Sequence, residues 1–108
     1  MKCISAIALS IILANSVLAG DWTQWRGPDR KGISSETDLL DAWPEGGPKR
    51  IWKAQGLGIG YSSVSVTGGR LYTMGDGESS SFVHCIDAKD GKIAWSSKPL
   101  GKTGGKYE

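Results

Sequence analysis

With 13 basic and 11 acidic side chains in 108 residues, the chain has room for one domain and a formal net charge of only +2. That balance offers no electrostatic basis for holding nucleic acid or an anionic membrane surface. All 16 glycines fall after residue 19, which points away from helix and toward short strands joined by tight turns.

Residues 1–19 read as a secretory signal. Lys2 supplies the positive start, "ISAIALSIILA" from Ile4 to Ala14 is an apolar core of 11 residues, and "VLA" at 17–19 places small or compact residues at the cleavage site. The core is shorter than the roughly 20 residues a membrane span needs. Export to a periplasmic or extracellular space is expected, with no span left after cleavage, and Gly20 rather than cysteine at the cut argues against a lipoprotein. Cleavage leaves 89 residues with 12 basic and 11 acidic side chains. Cys3 departs with the signal, so Cys85 has no internal disulfide partner. Its place in an apolar run predicts a buried, inert thiol.

Residues 20–49 form a tryptophan-rich leader. Trp22, Trp25 and Arg26 could form a sugar-binding or cation-π surface, although rings packed over one face of the following structure are the simpler expectation. "SSETDLLDAW" at 34–43 is compatible with a short helix, with Ser35 as cap and Leu39 and Leu40 facing inward.

Four strands are predicted from residue 61 onward. "YSSVSVT" at 61–67 alternates, with Val64 and Val66 on one face, and Gly68-Gly69 then makes a two-residue hairpin turn into "RLYTM" at 70–74. A longer polar loop, "GDGESSS" at 75–81, leads to "FVHCIDA" at 82–88, whose apolar residues on both faces suit an interior strand. Asp90-Gly91 predicts a second tight turn, and "KIAWSS" at 92–97 the last strand. Lys98, Lys102 and Lys106, spaced among glycines, read as a solvated linker. Four antiparallel strands with tight, long and tight connections make an all-β, four-stranded meander with the shape of a propeller blade.

One interval supports that shape. "KRIWKAQG" at 49–56 is similar to "KIAWSSKPLG" at 92–101, and Trp52 and Trp95 stand 43 residues apart, within the roughly 40 to 45 of a four-stranded propeller repeat. A large ring ending an outer strand can bridge to the next blade.

"IDAKDGKIAW" at 86–95 resembles the repeat of the pyrroloquinoline-quinone-type (PQQ-like) β-propellers, with Asp90 where threonine is usual. Asp87, Gly91 and Trp95 are the matching positions, and Trp52 is their counterpart upstream. "DWTQWRGPDRKGIS" at 21–34 and the stretch from Trp43 to Asp76 resemble the start of exported proteins of this class, so the likeness covers nearly all of the chain after residue 19. The resemblance implies that residues 50–108 are the first blade of an incomplete propeller. It also implies that Ile51 to Gln55 is an orphan strand that completes the last blade, and that the remaining blades of the same propeller are the partner.

On this reading a lone blade, with exposed apolar faces and edges, would be poorly stable by itself. The chain would be the amino-terminal part of an exported scaffold for binding or assembly, its protein or small-molecule ligand unspecified. The alternative is part of a quinone-dependent alcohol dehydrogenase, whose PQQ and calcium would be held only in later blades of a full-length parent. A free-standing small sheet domain is the third reading. No catalytic, cofactor or metal residues are assigned within the chain. Asp76, Glu78 and Ser79 lack the twelve-residue calcium pattern, and His84 is expected to be a half-buried strand residue. If the full ring binds a ligand, Gly58 to Ser62 and Asp76 to Ser80, on the rim opposite the tight turns, are the segments expected to carry it.

Overall fold

The computed structural model describes residues 20–102, so the expected signal and the last six residues lie outside it. The described chain is all-β: one antiparallel sheet in the order β1 (Ser65–Thr67), β2 (Arg70–Asp76), β3 (Ser81–Asp87) and β4 (Ile93–Ser96). The first connection is the expected two-residue link at 68–69, whereas the second, 77–80, is no longer than the third, 88–92, so the expected tight, long and tight order is not seen.

The first turn follows directly from its two residues. Gly68 and Gly69 take φ of 55° and 72° between Thr67 and Arg70, the left-handed pair that a twisted two-residue hairpin demands. The second turn is larger than the two-residue link expected at Asp90-Gly91. The Asp87 amide donates to the Lys92 carbonyl at 2.8 Å, enclosing a four-residue loop at 88–91, and the Gly91 amide returns to the Asp87 carbonyl at 2.9 Å. Only Gly91 of this loop has positive φ, 71°. The Ala88 amide donates to the Gly69 carbonyl at 3.0 Å, so both short turns share one rim.

Register assigns the side chains to two faces. Val66, Leu71, Ile86 and Ile93 line up across one face, with Thr73, His84 and Ser96 in the next row and Gly75 and Phe82 beyond. Tyr72, Cys85 and Trp95 line up on the other face, beside Met74 and Val83. A bulge between Cys85 and Ile86 leaves Ala94 as the extra residue in β4. Cys85 and Ile86 are the buried apolar core, at 2% and 3% exposure, so β3 is buried on both faces as its composition predicts.

Residues 52–59 cross the first face from rim to rim. Trp52 starts beside the 88–91 loop, a Cβ at Gly75 would run into the Leu57 carbonyl, and Ile59 pairs with Asp76 through two hydrogen bonds of 3.0 and 2.7 Å. Ile51–Gln55, expected as an orphan strand completed by a blade beyond this chain, forms no ladder among the described residues, and the segment it begins lies against the sheet.

Three further expectations are corrected. The first strand begins at Ser65 rather than Tyr61, because residues 61–64 have only side-chain anchors, such as the Ser62 hydroxyl that accepts the Met74 amide at 3.2 Å. Residues 34–43 are not helical: Asp38 takes φ of 58°, and Leu39 and Leu40 stay about 70% exposed with no surface to pack against. Residues 98–102 are not a free linker, since the Leu100 amide donates to the Ser81 carbonyl at 2.9 Å and Lys102 pairs with Ser80, while Lys106 lies outside the described residues.

The close approach at Gly91 yields a first test. A Cβ there would meet Trp52 ring atoms at 2.5 to 2.7 Å on an already left-handed backbone, whereas Gly46, with φ of 84°, has nothing within 4 Å. Gly91→Ala is expected to cost about 1–3 kcal/mol and Gly46→Ala no more than about 1 kcal/mol. Urea midpoints of the full chain measure both; equal losses would show that the ring contact contributes nothing at Gly91.

Candidate functional site

Of the four repeat positions, the structure gathers three. Trp52 donates its indole Nε1–H to the Ala88 carbonyl at 2.9 Å and lays its ring on Gly91. Asp87 holds the start of the same loop: one carboxylate oxygen accepts the Lys89 amide at 2.9 Å, and the other faces the Arg70 guanidinium at 3.7 Å. The acid is thus the residue that shapes the turn, and glycine is the residue that admits the ring. Trp95 stands apart on the other face, 48% exposed, with its ring 6.2 Å from that of Tyr72 and tilted by 54°.

Asp90 and Lys92 complete the loop. The Asp90 carboxylate accepts the Lys92 amide at 3.0 Å and meets its ammonium at 2.9 Å. The Lys92 hydrogen bonds hold Asp90 below its ordinary value, and the same carboxylate raises Lys92. On the open face, lost hydration and then the adjacent Cys85 thiol push the Tyr72 phenol up.

The opposite rim brings together the two loops singled out in the sequence. Gly58 and Ile59 lie against Asp76, and the Asp76 carboxylate accepts the Ser81 hydroxyl at 2.6 Å. Between them an open concavity of 270 Å³ is lined by Gly56, Gly58, Gly75, Gly77, Phe82 and His84. His84 is more buried than expected, at 6% exposure, because Nδ1 shares a 2.8 Å hydrogen bond with the Ser96 hydroxyl across the β3–β4 ladder. Sequence reasoning missed that pairing, since register across a bulge is not visible from spacing. Among the described residues, neither His84 nor Ser96 has a carboxylate hydrogen-bond partner, so no nucleophilic triad is assembled.

The leader also departs from expectation. Trp22 joins the sheet through its backbone, exchanging two 2.8 Å hydrogen bonds with Val66, and Asp21 accepts the Thr67 hydroxyl at 2.7 Å and the Gly68 amide at 3.1 Å. The Trp22 ring packs on Gly27 of the leader itself, while Trp25 and Trp43 remain about 70% exposed instead of covering a sheet face.

Among the described residues, no three His, Cys, Asp or Glu side chains are grouped to hold a metal ion.

Trp52→Phe keeps a ring over Gly91 but removes the only side-chain donor to the Ala88 carbonyl. A loss of about 0.5–1.5 kcal/mol is expected in denaturant titrations of the full chain; an unchanged midpoint would show that water replaces the bond at no cost. The Asp90 contribution is present above the ordinary aspartate value of 3.8 and fades as pH falls through the lower folded value. The Lys92 contribution is present below 10.5 and fades as pH rises through its raised folded value. Asp90→Asn should therefore flatten both limbs of the stability profile, which stability measured across pH would reveal; two unaltered limbs would assign the pair no part in stability.

No family model matches the chain, and neither a curated protein nor a solved structure matches it.

Proposed function

We propose that the chain is the amino-terminal part of an exported PQQ-like β-propeller that serves as a scaffold for binding or assembly. The observation that carries the reading is the placement of Trp52. It begins a segment that forms no ladder with this sheet, touching β2 only through the single bridge of Ile59 with Asp76, yet lies across its face, anchored to Ala88 and Gly91. In a ring of blades, that is the position from which the outer strand of the neighbouring blade packs on this one.

The other face supports the same reading. Tyr72, Met74, Val83 and Trp95 form an apolar surface, with Met74 and Trp95 nearly half exposed. A sheet is stable in layers, and a repeat blade buries such a surface only against its neighbour. Trp95 then does for the next blade what Trp52 does here. The scaffold role follows from what the blade offers: two rigid rims carrying loops around an axis, with no assembled catalytic group among the described residues.

The reading frame downstream of the Glu108 codon tests this. Strands ending in tryptophan are expected to recur about every 40 to 45 residues, with an aspartate and a glycine before each ring. A stop codon, or a downstream sequence without that period, would overturn the proposal and leave a free-standing small sheet.

A further inference from the structure

The turn of the leader is built more rigidly than a linker needs. Trp22 is fixed to β1 through both backbone groups, and its ring lies where a Cβ at Gly27 would stand, 2.8 Å from ring atoms. From that anchor the turn closes on itself: Gly27 donates to the Gln24 carbonyl at 3.0 Å, Arg30 to the Gly27 carbonyl at 3.1 Å, and Gly32 to the Arg26 carbonyl at 2.8 Å. Arg26 and Arg30 take φ of 66° and 60°, a left-handed conformation that disfavours such long side chains. Backbone strain of this kind concentrates where side chains must be held in one place.

The side chains so placed form a small site. The Arg26 guanidinium stands 5.5 Å from the centre of the Trp25 ring. Gln24 donates to the Pro28 carbonyl at 3.0 Å, and its own carbonyl oxygen accepts Arg30 Nε at 3.3 Å, which orients the second guanidinium. These four residues line an open concavity of 430 Å³. Among the described residues neither arginine has a carboxylate partner; the nearby Asp29 carboxylate is engaged by Lys31 at 3.5 Å. Trp25 is 71% exposed.

We infer that Trp25, Arg26 and Arg30 bind an acidic saccharide. Two guanidiniums lining one concavity can recognise a carboxylate or sulfate group through charge-assisted hydrogen bonds. The exposed indole gives a flat apolar platform for the C–H face of a pyranose ring. The site lies in the leader and does not rest on the propeller reading.

The probe is a galacturonate trisaccharide titrated into the full ¹⁵N-labelled chain, followed by the indole N–H resonances and with Trp25 assigned through Trp25→Phe. The Trp25 signal is expected to shift and saturate, while those of Trp22 and Trp52 report that the fold is intact. Arg26→Asn and Arg30→Asn tolerate a left-handed backbone and should each weaken binding roughly tenfold or more, since hydrogen bonds to charged groups are the strong ones. Should either variant disturb the Trp22 signal, raising salt from about 0.05 M to about 0.5 M on the unaltered chain replaces it, with weaker binding expected. The neutral galactose trisaccharide should not saturate the signal. The proposal is overturned by no saturable shift with the galacturonate, by equal binding of the neutral sugar, by insensitivity to both the arginines and salt, or by equal competition from an aspartate-rich peptide.

Discussion

Two places where the chain has no side chain decide how this small sheet acquires a covered face. At Gly91 the ring of Trp52 comes down onto the backbone, and at Gly75 the Leu57 carbonyl does the same. Between these contacts the 52–59 segment is drawn across the row that holds Phe82, His84 and Gly75. A four-stranded meander has two faces, and a chain of this size cannot spare a second sheet to cover either. A single extended segment does so here only because glycine lets it approach closely. Any β-carbon at those positions would lift the segment away and expose the centre of β3 to water.

The residues that were legible in the sequence are those whose backbone requirement is local. Gly68-Gly69 announces its turn because two adjacent glycines are the simplest way to obtain two left-handed residues in a row. The double-faced apolar run of β3 announces an interior strand for the same local reason. What could not be read depends on partners. The loop at 88–91 is longer than Asp90-Gly91 suggests because the Asp87 carboxylate captures the Lys89 amide and begins the turn early. Residues 61–64 have the alternation of a strand but no backbone ladder to join, and Leu39 and Leu40 follow a candidate helix cap at Ser35 but have no surface to bury against. The pairing of His84 with Ser96 waits on a bulge whose position spacing does not give. The leader site was legible only as a grouping of aromatic and basic residues; the left-handed φ of Arg26 and Arg30, which makes it a fixed constellation, has no signature in a non-glycine sequence.

The motif resemblance gains a physical content from these contacts. In "IDAKDGKIAW" the aspartate starts the loop, the glycine yields space to a ring, and the tryptophan is offered outward to something else. The 88–91 loop receives the Trp52 ring, while Trp95 offers a second ring from the other face of the sheet. That complementarity is the pattern of a heterologous contact, in which two different surfaces of one unit meet and repetition closes a ring only if the rotation suits. On the propeller reading, the leader then adds a second recognition surface beside the blade, held by Trp22 at the β1 edge.

That same edge contact gives the sheet a direction. In an antiparallel ladder alternate residues turn their backbone groups outward, so of the three residues in β1 only Val66 presents an amide and a carbonyl away from β2. Trp22 occupies both. A further strand therefore cannot ladder directly with β1 at Val66 without displacing Trp22. The leader thus acts as a one-residue guard on this edge, placed at the point of β1 where an added strand would find both an amide and a carbonyl.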